Sequence, residues 1–298
     1  MDLHTTVKAW LMNKGRQLEI ARYAYTFLSG SAEDVIQALK AYQNDDGGFA
    51  HGLEPDFWTP ESNPIDTWTA INVMRSLALP SNHPLIQSTL AYLRNTPHKD
   101  KGQYYFRIQD NNNHPHAPWW HYTEASKIES YNPSASLYGF ILKHEPSDSD
   151  FYLETIEAFE AMLSVFMADF DIEMHALRCL IELLADLEDT FDLSAVRQKL
   201  EAAVVKTVEH DSSRWFTDYC ARPSQLIESP KTPGYGPLRY WVDLELEHMR
   251  TRQNSAGVWD LTWSWEDRDP EAFKKAEKAW QSIIAYDTLV RFERFKSS

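Results

Sequence analysis

Apolar residues recur at intervals of three and four along most of the chain, which is the spacing of one face of an α-helix. Pro80 and Pro97 end two of the periodic segments, and Pro84 and Pro133 occupy first-turn positions that tolerate proline. The pattern predicts helices over Arg16–Ser29, Ala32–Gln43, Asp66–Leu79, Pro84–Asn95, Asn132–Lys143, Asp150–Ala168, Ile172–Leu187, Ser194–His210, Leu238–Arg252 and Glu271–Phe295. The side chains expected to cap four of these helices are Ser31, Asn132, Asp171 and Ser194.

Two long stretches, 96–131 and 214–237, lack helical periodicity. The first contains Asn111–Trp120, a run of asparagine, histidine and proline that ends in two tryptophans, and a loop of this length is often functional. Tyr104–Phe106 is a candidate for a short extended piece. Trp259–Glu266 alternates aromatic and polar residues, which predicts a strand with one aromatic face.

The predicted elements are about ten helices with little strand, and no break in composition indicates an interdomain linker. Paired helices of similar length with a partly repeated turn are typical of helical hairpins stacked as a solenoid or closed into a ring. We therefore predict an all-α fold in which residues 1–298 form a single domain.

One turn between two predicted helices, Ala41–Pro60, concentrates residue types that carry chemistry. Gly47 and Gly48 can adopt backbone conformations closed to other residues and so allow a sharp turn. The turn would gather the side chains of Asp45, Asp46, His51, Glu54 and Asp56. A weaker copy, Gln253–Trp259, lies near the other end of the chain, and both copies contain a glutamine, a short polar step, a glycine and an aromatic residue.

Composition narrows the class of protein. Hydrophobic residues make up 43% and charged residues 24% of the 298 residues, as in soluble globular proteins with a sizeable core. The formal net charge of −15 argues against nucleic acid or an anionic membrane surface as a main partner, and two cysteines argue against a disulfide framework. The amino-terminal stretch lacks a signal-peptide pattern, and no apolar run approaches the ~20 residues needed to span a bilayer. We expect a soluble cytoplasmic protein with a small-molecule substrate; the oligomeric state stays open.

The segments Gln43-Asn-Asp-Asp-Gly-Gly-Phe49 and Gln253-Asn-Ser-Ala-Gly-Val-Trp259 resemble the Gln–Trp turn repeats of the terpenoid cyclase and protein prenyltransferase superfamily. The string around Gly47–Pro60 also resembles uncharacterised bacterial proteins described as prenyltransferase-like or squalene-cyclase-like. In that superfamily the repeats tie helices together, so the resemblance implies an α/α toroid with a central cavity.

The chain also departs from that superfamily. Phe49 stands where the repeat usually has tryptophan, and the Asp-x-Asp-Asp acid of class II cyclases is absent. The nearest string contains Asp169, Asp171 and Glu173 at a predicted helix start, where capping by Asp171 is the simpler role.

A prenyltransferase-like zinc site is a second point of comparison. Asp218-Tyr-Cys220 has the Asp-x-Cys spacing of the zinc ligands, and His248 follows. A lone Asp-x-Cys occurs often by chance, so we expect no cofactor, with Zn²⁺ or Mg²⁺ as less favoured alternatives. Cys179 lies on an apolar helix face and is expected in the core.

The acidic turn has three interpretations. Crowded carboxylates raise at least one pKa and make a general acid, with His51 able to relay the proton. His51, Glu54 and Asp56 could alternatively ligate a metal. The third interpretation is structural: Asp45 and Asp46 are turn residues, and the other polar side chains cap the helix that starts at Asp66 or bond loop amides. Structure is the simpler role for Asp45, whereas Glu54 and Asp56 stand among apolar neighbours, where carboxylates need a specific reason.

Aromatic residues supply the candidate substrate-binding set. The 11 tryptophans favour an aromatic-lined cavity, although a core position is the simpler explanation for any single one. The candidates are Trp58, Trp119, Trp120, Trp259, Asp260, Trp263 and Trp265. Such rings stabilise a carbocation or stack on sugar rings beside paired carboxylates. His114, His116 and His121 flank the Trp119–Trp120 pair and are expected to be exposed.

Three functions stay open. The first is a terpenoid-cyclase-like enzyme that uses acid catalysis on an apolar or isoprenoid substrate, with the catalytic candidates Glu54, Asp56, His51 and Asp46 and with Asp169 and Asp171 in reserve. The second is a carbohydrate-active hydrolase or lyase, and the third is a helical scaffold without catalysis. No nucleophile elbow, phosphate-binding glycine loop or dinucleotide fingerprint occurs, which disfavours ATP- and NAD-dependent chemistry.

Overall fold

The computed structural model describes residues 3–168 and 171–296. Within these residues the chain forms twelve α-helices and one two-stranded hairpin. The helices are α1 (Leu3–Lys14), α2 (Gln17–Phe27), α3 (Ala32–Lys40), α4 (Pro64–Leu77), α5 (Pro84–Asn95), α6 (Ser134–His144), α7 (Asp150–Ala168), α8 (Met174–Leu187), α9 (Ser194–Thr207), α10 (Pro223–Leu226), α11 (Tyr235–Thr251) and α12 (Pro270–Phe295). The antiparallel strands are β1 (Lys99–Asp100) and β2 (Gln103–Tyr104). The predicted all-α class is confirmed, and closure into a toroid stays a prediction.

Several elements differ from the sequence-based prediction, including the short helix α10, which lies within the stretch 214–237 predicted to lack helical periodicity. The chain is already helical in α1, where Val7 and Leu11 are fully buried four positions apart. Residues 259–266 are irregular, with one bend at Thr262 and a turn that begins at Glu266, so the predicted strand there is wrong. Their aromatic side chains pack on helices: the Trp259 indole donates to the carbonyl of Met249, and Trp265 lies edge-on to Phe273. Alternation alone does not make a strand, because a strand also needs a partner for its backbone groups.

The predicted caps were partly right. The Ser31 hydroxyl accepts from the backbone N–H of Asp34, as expected. Glu173, rather than Asp171, caps α8 by accepting from two backbone N–H groups of the first turn. Ser194 is itself held by the Asp192 carboxylate. Asn132 accepts from the Cys179 thiol instead of a backbone amide.

The described residues fall into two compact units. Unit 1 comprises residues 1–41 and 208–298 and therefore contains α1–α3 and α10–α12; unit 2 comprises residues 42–207 and contains α4–α9. In unit 1, α1 packs on α12 and α2 packs on α3. In unit 2, α6 packs against α7 and α8, and α4 contacts α5 and α6.

Helix α6 lies at the centre of unit 2, since every residue from Ser134 to Leu142 is buried. Gly139 permits its close approach to α8, because a Cβ at this position would lie 2.9 Å from the Cα of Leu183. A helix that is buried on all sides in this way is typical of the core of a protein.

A buried polar network joins α4, α6 and α8. Arg75 donates to Asp186 at 2.6 Å and to the hydroxyl of Ser136 at 2.9 Å. Glu182 accepts from Ser136 and from the Trp68 indole, each at 2.6 Å. Burial lowers the pKa of Arg75, but the carboxylates of Asp186 and Glu182 raise it more, so the guanidinium is held charged. This network fixes three helices relative to one another.

None of the described helices combines the length and apolar character needed to cross a membrane.

Candidate functional site

The two repeated sequence turns have the same hydrogen bonds. In the first turn, Gln43 Nε2 donates to the carbonyl of Gly47, and Gly47 N donates to Asn44 O at 3.0 Å. The second turn repeats both bonds with Gln253, Asn254 and Gly257. The two glycines have φ of +89° and +84°, which L-residues rarely adopt.

Each turn also packs tightly against a helix of its own unit. A Cβ on Gly47 would lie 2.1 Å from the carbonyl oxygen of Ser88 in α5, and one on Gly257 would lie 2.2 Å from the Thr6 methyl in α1. The aromatic residue that follows each turn, Phe49 or Trp259, is buried. The repeat is therefore a structural device that anchors a helix connection.

The carboxylate of Asp46 stabilises the first turn. It accepts from the backbone N–H of Gly48 at 2.9 Å and from the hydroxyl of Ser62 at 2.7 Å. Asp46, one of the catalytic candidates, is exposed, and its carboxylate is engaged in holding the turn.

Downstream of this turn lie three buried carboxylates in one short stretch of structure: Glu54, Asp56 and Asp66. The backbone N–H of Glu54 donates to Asp66 Oδ1 at 2.6 Å, and the backbone N–H of Asp56 donates to Glu54 Oε2 at 2.7 Å. The other Asp66 oxygen accepts from the Asn63 amide at 2.8 Å, and Asn63 in turn caps α4. Asp66 thus links the helix N-terminus to the backbone of the acidic loop.

The surroundings of Glu54 oppose the ionisation of its carboxyl group. Burial raises its pKa well above the ordinary value, and the charges of Asp56 and then Asp66 raise it further. The hydrogen bond from the Asp56 amide and the nearby Trp120 indole lower the pKa without cancelling the rise. Glu54 is therefore expected to keep its proton at pH values where an exposed glutamate has lost it.

A second loop, residues 106–121, packs on the acidic loop. Ala117 N donates to the carbonyl of Asp56 at 2.7 Å, and Trp58 N donates to that of Pro115 at 3.1 Å. The Trp120 ring lies 4.8 Å from Phe57 and 4.6 Å from Phe106, measured between centroids. Three aromatic rings therefore pack together beside the buried carboxylates.

This second loop also contains two buried polar atoms without hydrogen-bond partners among the described residues, Asn111 Oδ1 and Trp120 Nε1. Asn111 is 1% and Trp120 6% exposed. The two residues are themselves joined, since the Asn111 amide donates to the Trp120 carbonyl at 3.1 Å. The Trp120 indole lies near enough to Glu54 to lower its pKa, but it does not reach hydrogen-bond geometry. The loop thus offers a donor beside the acid, the Trp120 indole, and an acceptor on Asn111, which is bonded to the Trp120 backbone.

A histidine pair lies in the same loop. His116 Nδ1 is 2.7 Å from the carbonyl of His114 and must donate to it, so Nε2 of the neutral ring is an acceptor. His121 Nδ1, 3.1 Å from that Nε2, is then the donor. The rings are stacked at 5.4 Å between centroids. His116 is buried, contrary to the expectation of an exposed loop histidine.

The other catalytic candidates are placed elsewhere. His51 is exposed, and its Nε2 lies 2.9 Å from Asn44 Oδ1. Asp171 is exposed and lies 3.5 Å from the Lys206 ammonium. Asp169 lies outside the described residues.

The tryptophan candidates are divided between the two units. Trp58, Trp119 and Trp120 belong to unit 2, where Trp119 is exposed and Trp120 buried. The candidates in unit 1 are Trp259, Asp260, Trp263 and Trp265. Trp263 lies edge-on to Trp280 at 5.3 Å between centroids, and Asp260 accepts from Asn254 in the second turn at 2.6 Å. Packing and turn contacts therefore account for the unit 1 set.

No group of three or more histidine, cysteine, aspartate or glutamate side chains in the described residues is arranged to hold a metal ion. Asp218 forms an ion pair with Arg214 at 2.8 Å, and burial is the main cause of a raised pKa at the Cys220 thiol. His248 packs against the Trp215 ring. Cys179 is fully buried, as predicted for a core residue.

Sequence analysis missed two members of the site. The sequence pattern identifies Asp66 only as the start of a helix. The available signal is Asn63, three residues earlier, because a capping residue and the residue three positions later often bond reciprocally. The polar neighbours of Asn111 predict only a loop position, and nothing in the local sequence indicates that the side chain is buried.

Comparison with known proteins gives information on the fold alone. No family model matches the sequence, and no curated protein matches it. A crystal structure of a protein from Actinoplanes is similar, with a TM-score of 0.50 and 11% sequence identity, over 98% of this chain and 100% of that one. At this identity the likeness indicates a shared fold and nothing about chemistry.

Proposed function

We propose that this protein is an enzyme that uses the protonated carboxyl of Glu54 as a general acid toward a hydroxylated, carbohydrate-class substrate. The observation that carries the proposal is the burial of Glu54 beside two further buried carboxylates, which raises its pKa. A carboxylic acid that keeps its proton above the ordinary pKa of glutamate is suited to general acid catalysis.

The direction of the pKa shift favours one kind of acid catalysis over another. A raised pKa makes Glu54 a weaker acid, suited to protonating the oxygen of a leaving group as the bond breaks. Protonation of an unactivated alkene needs a stronger acid. The same carboxyl therefore supports hydrolysis or elimination at a glycosidic oxygen better than cyclisation of an isoprenoid.

The unpartnered polar atoms support the same substrate class. Asn111 Oδ1 can accept from a substrate hydroxyl and Trp120 Nε1 can donate to one. Asp56, buried two residues after Glu54, is the partner carboxylate in this proposal, and Asp66 holds the Glu54 backbone. Since the loop of residues 106–121 packs over these groups, substrate entry requires it to move.

Isoprenoid chemistry remains the second candidate, supported by the rings of Phe57, Phe106 and Trp120 packed beside the acid. An apolar substrate would leave Asn111 Oδ1 and Trp120 Nε1 without partners, which is unfavourable for buried polar groups.

The test is turnover of a panel of aryl glycosides and glycan extracts, with isoprenoid alcohols and diphosphates in parallel. Glu54→Gln should lower kcat/KM by about 10²-fold or more while the circular dichroism spectrum is unchanged. Asp45→Asn, an exposed carboxylate in the same segment, is the matched control and should retain activity. In the wild type, kcat/KM should fall as pH rises through the raised pKa of Glu54. Full activity in a folded Glu54→Gln variant would remove Glu54 from the mechanism, and turnover of isoprenoids alone would reverse the order of the two candidates.

A further inference from the structure

A groove of about 210 Å³ lies in unit 2, away from the acidic loop, between the β1–β2 turn and α7. It is lined by Lys101, Gln103, Tyr131, Tyr138, Ala158, Ala161, Met162 and Val165. Small side chains on α7 leave the space open, and two tyrosines and a methionine supply apolar walls. None of these residues takes part in the site around Glu54.

The turn between β1 and β2 places a positively charged side chain, Lys101, at this groove. Lys101 has φ of +48°, a left-handed conformation that costs a residue with a side chain about 1 kcal/mol or more. Gly102, at φ of +83°, completes the turn, and a Cβ there would lie 3.0 Å from the Ala158 methyl, so the turn sits directly against α7. Among the described lining residues, Lys101 alone carries a charge.

The other polar lining groups do not compete with an anion. The Tyr138 hydroxyl donates to the carbonyl of Gly102 at 2.8 Å, and burial raises the pKa of Tyr138 to about 12. That phenol is therefore neutral at physiological pH, and Gln103 adds an uncharged amide.

We propose that this groove binds a small amphipathic monoanion, an aromatic or branched carboxylate. The volume exceeds the roughly 150 Å³ of a cavity that binds benzene, which leaves room for a ring and a short acid chain. The ring packs between the tyrosines and Met162, and the carboxylate pairs with the Lys101 ammonium. The site is independent of the proposed enzymatic function.

The experiment titrates the full-length protein, labelled with ¹³C at the methionine methyls, with 3-phenylpropionate. The Met162 methyl, assigned with Met162→Leu, reports directly on occupancy of the groove. Uncharged 3-phenylpropanamide is the matched ligand. We expect the Met162 signal to shift and saturate with the acid, and the amide to bind at least about fivefold more weakly because it lacks the ion pair.

Two variants test separately the charge of Lys101 and the open volume of the groove. Lys101→Gln should weaken binding of the acid about fivefold or more and leave the amide unaffected, while Lys40→Gln, an exposed lysine of α3, should change neither. Ala161→Phe, which fills the groove, should abolish the Met162 shift in a protein whose circular dichroism is unchanged. The proposal is overturned if the acid leaves Met162 unshifted up to about 10 mM, where a ~1 mM Kd would saturate the site. Equal binding of acid and amide would overturn the assigned role of Lys101.

Discussion

At the scale of single residues, Glu54 and His144 show how surroundings set ionisation. Glu54 is buried among carboxylates, which raises its pKa. His144 lies beside the Phe140 ring in α6, with its Nδ1 2.9 Å from the Ser81 hydroxyl. Burial, followed by the cationic charges of Lys143 and Arg75, lowers the pKa of His144 to about 4, against the opposing effect of Asp186. Both pKa shifts disfavour the charged form of the side chain. The shift at Glu54 makes stability fall as pH rises, whereas the shift at His144 makes it fall as pH falls.

Glu54→Gln should remove a pH dependence from stability. The native state holds the Glu54 proton above the ordinary pKa of 4.5, whereas the unfolded chain releases it. Wild-type stability should therefore fall relative to Glu54→Gln as pH rises from about 4.5 toward the raised native pKa, by up to about 1.4 kcal/mol per pH unit. Urea unfolding at several pH values measures the difference, and a constant difference across this range would contradict the raised pKa.

His144→Gln should remove a pH dependence of the opposite sign, in which the wild type loses stability as pH falls. The neutral native imidazole resists protonation down to pH about 4, whereas the unfolded ring takes up a proton near its ordinary value of 6.5. Because the ring is partly exposed and its interactions are screened by solvent, the wild type should lose only about 1–2 kcal/mol relative to the variant as pH falls from 7 to 4, most of it below 6.5. Thermal unfolding at matched ionic strength measures this loss; parallel stability curves would show that the native ring titrates normally.

At the scale of elements, the repeated turns and the Arg75 network hold helices in place. The turns at Gly47 and Gly257 share hydrogen bonds and positive φ but contact different groups, a backbone carbonyl in α5 and a threonine methyl in α1. A carbonyl within a helix cannot move without disturbing that helix, whereas a side-chain methyl can shift. The two turns should therefore differ in their tolerance of substitution.

Gly47→Ala should cost about 3–4 kcal/mol of unfolding free energy and Gly257→Ala about 2 kcal/mol, because both force an unfavourable φ and the first also meets backbone. Gly236→Ala is the matched control: in the first turn of α11 its Cβ would meet no described atom within 4 Å. The control should be neutral or stabilising by up to about 1 kcal/mol. Guanidinium unfolding of the three variants gives the order, and equal costs at positions 47 and 257 would refute the distinction.

Arg75→Ala should destabilise the protein by about 2–3 kcal/mol, because buried Asp186 would keep only the Lys143 ammonium as an ion-pair partner and Glu182 would lose one of its donors. Arg197→Ala removes the partner of Glu188 at a surface pair and should cost at most about 1 kcal/mol. Chemical unfolding compares the two, and a cost for Arg75→Ala as small as that of the surface variant would show that the network is not needed to join the helices.

At the scale of the whole molecule, charge is the dominant global property. The formal net charge is −15, so the native chain carries substantial self-repulsion at neutral pH. Ion pairs at the surface, such as Arg239 with Asp243 at 3.9 Å, contribute little and are screened by salt. Repulsion among many like charges should therefore outweigh the screened attractions.

Added NaCl should stabilise the protein. Between about 20 and 200 mM NaCl the Debye length shortens from roughly 20 to 7 Å, so long-range repulsion is screened. We expect a gain on the order of 1 kcal/mol in unfolding free energy, measured by thermal and urea unfolding at fixed pH. A stability that falls with NaCl would mean that attractive ion pairs dominate.

The sequence by itself determined most of the helices and the repeated turns. The predicted limits of α5 and α7 agree with the structure at both ends, because side-chain periodicity and proline act within a few residues. The glutamine and glycine of each turn likewise predicted a common local conformation, since φ and short-range hydrogen bonds depend on adjacent residues. The error at 259–266 arose where alternation was local but the packing partners were not.

Only the tertiary structure decided that the pKa of the Glu54 carboxyl group is raised. The sequence separates Asp45, a turn residue, from Glu54 among its apolar neighbours, but only the fold shows that residues 56, 66 and 120 enclose Glu54. The unpartnered atoms of Asn111 and Trp120, and the groove beside Lys101, likewise exist only because distant segments pack together. Burial and pKa depend on the atoms that replace water around a group, and those atoms come from parts of the chain that local sequence does not specify.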